Sequence, residues 1–74
     1  IEAQVLGASA SAGKEVRNVD WPPGAIVGAM LKNGELIVPQ GRTRIEEGDT
    51  LAVYVLSEDV PLVEALFQVS IDFF

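Results

Sequence analysis

The positive charges of this chain are concentrated in two short segments. Lys14 and Arg17 lie in one segment, and Arg42 and Arg44 lie in the other. Guanidinium and ammonium groups bind phosphates through charge-assisted hydrogen bonds, so the two segments would form an anion site if they met in the fold. We predict that the ligand-binding residues are Arg17, Asn18, Arg42 and Arg44. The alternative is that these cations form surface ion pairs with the abundant acidic residues.

A cluster of three carboxylates, Glu46, Glu47 and Asp49, is a second candidate for chemistry. Carboxylate oxygens are the ligands that Ca²⁺ and Mg²⁺ prefer. Gly48 within the cluster also fits a solvent-exposed turn in front of a strand, which is the more common role of such residues. We therefore predict no metal site.

Trp21 stands directly before two prolines. Its indole ring can stack on a nucleobase, but a tryptophan in a loop more often anchors that loop on the hydrophobic core. We favour the anchoring role.

The residues that most catalytic sites need are missing from the sequence. The chain has no histidine and no cysteine, which removes the usual general base and the usual thiol nucleophile. The glycines between Gly7 and Gly28 fit neither the dinucleotide-binding fingerprint nor the P-loop. Only carboxylate acid–base or metal chemistry remains. We predict that the domain is not an enzyme and binds no cofactor of its own.

The formal net charge of −6 limits the partners of the chain. Nucleic acids and anionic lipid headgroups attract basic surfaces, so we expect no nucleic acid partner and no direct membrane insertion. The longest apolar run, 25–31, is much shorter than the roughly 20 residues that span a bilayer.

The 74 residues are enough for one small domain. A domain of this size is rarely stabilised by its core alone. The sequence has no cysteine and no histidine, which excludes disulfides and most zinc sites. Self-association is therefore the remaining way to stabilise the domain. The first residue is Ile1 instead of methionine, so we expect 1–74 to be one domain of a longer protein.

The pattern of apolar residues predicts an α+β fold. Segments typical of strands lie at 1–6, 25–32, 35–38 and 51–56, and the alternation of Val69, Ile71 and Phe73 predicts a final strand or an extended tail. A short helical turn is expected near Val16, and a C-terminal helix is expected with Ser57 or Asp59 as its cap and Pro61 in its first turn. We predict a mainly antiparallel sheet of four to five strands, with Asn33-Gly34 as a hairpin turn and the helix packed on one face.

Two of these strands are apolar along almost their whole length, although antiparallel strands with one wet face normally alternate. One terminal helix covers only one face of such a sheet, so we expect a second copy of the domain to cover the other. The predicted dimer interface consists of Ile26, Val27, Val53 and Val55. The alternative is a sheet that curls into a partial barrel and covers itself.

Several short segments have an order and spacing that are specific when they are taken together. They are 12–14, 23–29, 33–34, 39–45, 47–53 and 63–69, followed by Phe73-Phe74. In these segments the sequence resembles the TrkA-C domain, the C-terminal domain of regulators of K⁺ conductance (RCK). The resemblance covers almost the whole chain.

The resemblance implies a longer protein whose preceding domain binds NAD or ATP. Such proteins form a ring at the cytoplasmic side of an integral membrane potassium transporter, as peripheral regulators at the inner face of the cell membrane. In this family the C-terminal domains pair as homodimers, and some bind small effectors such as cyclic dinucleotides between the partners. The alternative is a purely structural dimerisation module of another ion channel or antiporter, without a ligand of its own.

Overall fold

The computed structural model describes residues 1–67 of the chain. Four strands and one helix form the fold: β1 Glu2–Gln4, β2 Ile26–Lys32, β3 Glu35–Ile37, β4 Thr50–Tyr54 and α1 Val60–Phe67. Two short 3₁₀ turns lie at Val16–Asn18 and Ser57–Asp59. The predicted α+β fold, with a helical turn near Val16 and one helix after the last strand, is confirmed. The predicted strand or tail with Val69, Ile71 and Phe73 lies outside the described residues.

The four strands form one sheet in the order β1-β4-β2-β3, and every neighbouring pair is antiparallel. β2 and β3 are joined by Asn33 and Gly34, whose φ angles are 53° and 78°. Positive φ at both central positions is typical of the type I′ turn, which matches the twist of a hairpin. The predicted hairpin is therefore confirmed.

The hydrophobic core lies between one face of the sheet and α1. Its buried members come from the sheet, the helix and the loops: Val5, Val19, Met30, Ile45, Leu51, Val53, Val63 and Phe67. Val63 and Phe67 are four residues apart on α1 and therefore lie on the same side of the helix. α1 has eight residues and packs on this inner face of the sheet.

Buried and exposed side chains alternate along β4 more strictly than the composition of this strand indicates. In β4, Leu51 and Val53 are buried, whereas Ala52 is half-buried and Tyr54 is exposed. A β-bulge between Val27 and Ala29 shifts the register of β2. Small and aromatic residues at the outward positions made the sequence look continuously apolar. The two faces of β4 therefore differ in burial, although both carry apolar side chains.

This alternation corrects the predicted dimer interface. Val53 is 1% exposed and belongs to the core of its own chain, so it is not available to a partner. Val27 and Val55 are half-buried and pack against the same core. Ile26 is 63% exposed, and its contact with a partner stays a prediction. Within residues 1–67 the sheet is open with β1 and β3 at its edges, so it does not close into a barrel.

Replacing Gly34 tests the hairpin. Gly34→Val places a β-branched residue at φ 78°, so we expect it to lower the free energy of unfolding by about 1–3 kcal/mol. Glu35→Val introduces the same side chain at the next position, which is extended strand, and should change stability by less than about 0.5 kcal/mol. Urea unfolding of both variants measures the difference. Equal midpoints would contradict the turn conformation.

Candidate functional site

The two cationic segments lie side by side in the structure. The amide of Val16 donates a hydrogen bond to the carbonyl oxygen of Thr43 at 2.9 Å, and the amide of Arg17 donates to the carbonyl oxygen of Gly41 at 2.9 Å. These bonds belong to a short antiparallel ladder of backbone hydrogen bonds between residues 13–17 and 41–45, outside the main sheet. The ladder brings a cation from each segment to the same part of the surface.

An open depression of about 600 Å³ lies at this end of the ladder, lined by Arg17, Gln40, Gly41, Arg42 and Thr43. Its rim is a tight turn in which the hydroxyl oxygen of Thr43 accepts a hydrogen bond from the amide of Gln40 at 2.8 Å. The amide of Thr43 donates to the carbonyl oxygen of Gln40 at 3.1 Å. The turn thus holds Arg42 next to Arg17 and adds neutral polar groups to the wall.

Arg17 is the only one of these two arginines with an ion pair among residues 1–67. Its Nε atom lies 2.7 Å from Oε1 of Glu15, and the Arg17 side chain is 56% exposed. An exposed pair of this kind contributes about 0–1 kcal/mol, so the phosphate group of a ligand can compete with Glu15 for the guanidinium. The depression is therefore chemically suited to an anion.

The structure brings together two of the four predicted ligand residues. Arg17 and Arg42 line the depression, whereas Asn18 and Arg44 do not. Asn18 is exposed at the end of its 3₁₀ turn. Nη1 of Arg44 donates a hydrogen bond to the carbonyl oxygen of Gly13 at 2.5 Å, which closes the opposite end of the ladder. Charge alone could not distinguish arginines that line the depression, such as Arg17 and Arg42, from Arg44, which binds a backbone carbonyl.

Three residues of the wall, Gln40, Gly41 and Thr43, were not predicted. The signal for them was the Pro-Gln-Gly sequence, which is typical of a turn that exposes its side chains and backbone. Gly41 also lies close to Arg17, because a Cβ atom at Gly41 would be 3.5 Å from Cβ of Arg17.

The acidic cluster forms an ion pair within the protein. Nζ of Lys32 lies 2.7 Å from Oδ2 of Asp49 and 2.9 Å from Oε1 of Glu46. Oδ2 of Asp49 also accepts a hydrogen bond from the amide of Glu46 at 2.8 Å. The Asp49 side chain is 5% exposed, so the charge of Lys32 compensates a buried carboxylate. Among residues 1–67 no group of three or more acidic side chains is arranged to hold a metal ion.

This ion pair shifts the pKa of Lys32. Burial alone lowers that pKa, but the hydrogen bonds and negative charges of Asp49 and Glu46 outweigh burial and raise it above 10.5. Lys32 therefore stays charged at neutral pH. It connects the end of β2 to the turn that precedes β4.

Trp21 anchors the loop that carries Arg17. Its Nε1 atom donates a hydrogen bond to the carbonyl oxygen of Val16 at 2.9 Å, and its ring lies 5.9 Å from the ring of Phe67 at 40°. The anchoring role predicted for Trp21 is confirmed. The wall of the depression is thus attached to α1 through one indole ring.

Comparison with known proteins places the chain in a family. The TrkA-C domain family matches residues 2–68. The chain belongs to the TrkA-C domain family. The described structure also resembles a solved structure described as an RCK domain with cda, with a TM-score of 0.80 and 28% identity, over 92% of this chain and 96% of that chain. The resemblance seen in the sequence is thereby confirmed.

Curated relatives of this TrkA-C domain are Trk system potassium uptake proteins. The TrkA protein of Azorhizobium caulinodans is 36% identical over all 74 residues of the chain. The TrkA homolog 2 of Methanosarcina mazei is 37% identical over 68 residues, which is 92% of the chain. The chain spans only 16% and 15% of the length of these two relatives. No helix of the TrkA-C domain within residues 1–67 has the length and hydropathy required to cross a bilayer.

Removing Lys32 tests the ion pair. Lys32→Met leaves the buried carboxylate of Asp49 with fewer partners, so we expect a loss of about 1–3 kcal/mol at pH 7. Because the folded-state pKa of Lys32 is raised, its contribution is complete below pH 10.5 and is lost as the pH rises through the folded-state pKa. Urea unfolding from pH 7 to pH 11.5 should show the gap between wild type and variant closing only above pH 10.5. Lys14→Met, at an exposed lysine, is the control; an equal loss in both variants would contradict this role.

Removing the indole N–H tests the anchor. Trp21→Phe keeps an aromatic ring beside Phe67 but loses the hydrogen bond to Val16. We expect a loss of about 1 kcal/mol, since the carbonyl oxygen of Val16 loses its side-chain donor. Thermal unfolding monitored by circular dichroism measures it. A variant as stable as the wild type would show that the hydrogen bond does not hold the loop.

Proposed function

We propose that this TrkA-C domain is a non-catalytic regulatory module of a potassium uptake system, in which a small anionic effector binds beside Arg17 and Arg42. The observation that carries the proposal is the ladder, which places these two arginines around one open depression. Membership in the TrkA-C family and the potassium uptake proteins among the relatives support the biological setting.

The chemistry of the depression favours a nucleotide as the effector. Two guanidinium groups match the charge and geometry of phosphate oxygens, and Gln40 and Thr43 add neutral hydrogen-bonding groups. The similar RCK structure is described with cda, which supports a small ligand in domains of this fold. We propose a cyclic dinucleotide or a mononucleotide as the ligand class.

Regulation requires that the effector prefer one of two arrangements of the full protein. The depression is suited to such coupling because its two walls come from different segments, 13–17 and 40–45, which are held together mainly by backbone hydrogen bonds. An anion bound to both walls stabilises their present spacing. Trp21 then connects this spacing to Phe67 on α1.

The proposed setting follows from the relatives of the chain. We place the domain in a longer protein that is peripheral at the cytoplasmic face of the cell membrane and acts on an integral membrane potassium transporter. The preceding domain of that protein would bind NAD or ATP, whereas this domain holds no cofactor and binds no nucleic acid. The domain would form a homodimer through its sheet.

The second candidate function is a purely structural dimerisation module of an ion channel or antiporter. The observation that favours it is the outer face of the sheet, where Ile26, Leu36 and Tyr54 are each more than 60% exposed. Apolar residues that cluster on one surface indicate a protein partner. The two functions differ in whether the depression binds a ligand.

Isothermal titration with cyclic dinucleotides and with AMP separates the two functions. We expect the wild type to bind at least one of them, and Arg17→Gln and Arg42→Gln each to weaken binding about tenfold, since a hydrogen bond to a charged group contributes about 1.5–3 kcal/mol. Lys14→Gln removes the same charge without touching the depression and should bind normally. The absence of heat and of a thermal shift with every nucleotide would remove the effector role and leave the structural one.

A further inference from the structure

Glu15 is the only acidic residue in the two segments of the ladder, and it has an arginine neighbour in each segment. Within its own segment, its Oε1 atom lies 2.7 Å from Nε of Arg17. Across the ladder, Glu15 and Arg44 are the two residues of an antiparallel bridge. One carboxylate therefore lies between two guanidinium groups.

The pairing of Glu15 with Arg44 brings their side chains close together. Two backbone hydrogen bonds flank the bridge, from the amide of Ile45 to the carbonyl oxygen of Lys14 at 2.8 Å and from the amide of Val16 to the carbonyl oxygen of Thr43 at 2.9 Å. Residues between two such bonds form the non-hydrogen-bonded type of pair, in which the Cα atoms are only about 4.5 Å apart. Opposite charges at directly opposed positions attract each other. Arg44 is therefore a second partner within reach of the Glu15 carboxylate.

Arg44 has donors available for that second pairing. Its Nη1 atom donates to the carbonyl oxygen of Gly13, and among residues 1–67 the ion-pair partner of Glu15 is Arg17. A guanidinium group carries five N–H donors, so one bond to a backbone carbonyl leaves donors for a carboxylate. Arg44 is also exposed and does not line the depression. A ligand in the depression would therefore leave Arg44 accessible to Glu15.

The backbone of Glu15 is held in place, whereas its side chain can turn. The bridge to Arg44 fixes one side of the residue, and its carbonyl oxygen accepts a hydrogen bond from the amide of Asn18 at 2.9 Å on the other. The side chain is 24% exposed, and that of its partner Arg17 is 56% exposed. Side chains in contact with solvent change rotamer within picoseconds to nanoseconds. The carboxylate can therefore exchange partners without movement of the backbone.

We propose that Glu15 is a two-position switch, whose carboxylate pairs with Arg17 as in this structure and passes to Arg44 when an anion binds Arg17. A phosphate group takes the Nε–H of Arg17 through a charge-assisted hydrogen bond. The displaced carboxylate is then neutralised by Arg44 instead of remaining unpaired beside a negatively charged ligand. This inference rests on the effector site of the proposed function and supplies the two states that regulation requires.

The second position of the switch connects the ligand to α1. Arg44 binds the carbonyl oxygen of Gly13, and two residues before Gly13 the amide of Ser11 donates to the carbonyl oxygen of Leu66 at 3.2 Å. A carboxylate that pairs with Arg44 changes how its guanidinium group binds Gly13. The segment that contacts the last turn of α1 therefore responds to the ligand by a route separate from Trp21.

NMR titration of the ¹⁵N-labelled 74-residue chain with AMP and with a cyclic dinucleotide tests the switch. We expect Arg44→Gln to weaken binding about two- to fivefold, the factor that corresponds to one exposed ion pair, because the displaced carboxylate then has no partner. Glu15→Gln with Arg44→Gln should bind like Glu15→Gln alone, since no carboxylate is displaced. Lys14→Gln is the matched control, because it removes a cation of the same ladder without touching the bridge and should bind like the wild type.

The Nε–Hε signals of the arginines separate the switch from a general effect of charge. In the wild type, the nucleotide should shift the signals of both Arg17 and Arg44. In Glu15→Gln it should still shift that of Arg17 but no longer that of Arg44. Glu47→Gln with Arg44→Gln restores the net charge but keeps Glu15, so this double variant should bind as weakly as Arg44→Gln. Circular dichroism confirms that each variant is folded.

The outcomes distinguish the switch from the effector site itself. If the wild type binds a nucleotide and Arg44→Gln binds it equally well, the switch is overturned and the effector function stands. The same holds if the Arg44 signal shifts equally in Glu15→Gln. If neither the wild type nor Glu15→Gln binds either nucleotide, the effector function is overturned, and the switch with it.

Discussion

The pairing of β2 with β4 is the interaction on which the other elements of this domain depend. These two central strands carry Met30, Leu51 and Val53, which are almost completely buried on the inner face. They also support β1 and β3 at the two edges. Within residues 1–67, α1 covers one face of this pair, and large side chains of the other face stay exposed. Because the chain lacks cysteine, disulfides do not stabilise this sheet, and the packing of its central strands matters more.

The loops that carry the candidate ligand residues are fixed to this central pair at two points. The Lys32–Asp49 ion pair joins the end of β2 to the turn before β4, and Ile45, fully buried, fixes the ladder to the core. Arg17 and Arg42 themselves stay exposed at the far end of the ladder. The arrangement therefore combines a base fixed to the core with exposed charged groups, and this combination is typical of a ligand site on a structural scaffold.

The sequence predicted the local features that depend on one or two residues. Asn33-Gly34 identified the hairpin because few other pairs accept positive φ, and Trp21 beside two prolines identified an anchor. The meeting of Arg17 with Arg42 was predicted only as a hypothesis from charge, since the ladder that joins them depends on backbone hydrogen bonds between distant segments. The different role of Arg44, which binds the carbonyl oxygen of Gly13, depends on that same ladder and could not be seen in the charge pattern.

The assignment of faces was the part that the sequence could not resolve. The bulge at Val27 and Ala29 shifts the register of β2, and composition does not reveal a bulge. Residues 51–56 are apolar at almost every position, so composition did not show that Val53 is buried and Tyr54 is exposed. Small residues such as Ala52 contribute to this ambiguity because they fit either face.

We propose that the outer face of the sheet, where Ile26, Leu36 and Tyr54 are exposed, pairs with a second copy of the chain. Isotope-filtered nuclear Overhauser spectroscopy on a mixture of labelled and unlabelled chains at about 1 mM tests it most directly, because the filter retains only contacts between copies. We expect cross-peaks between the ring protons of Tyr54 and the methyl groups of exposed residues on the same face of the other copy. Intermolecular cross-peaks confined to other surfaces, or none at all, would contradict it.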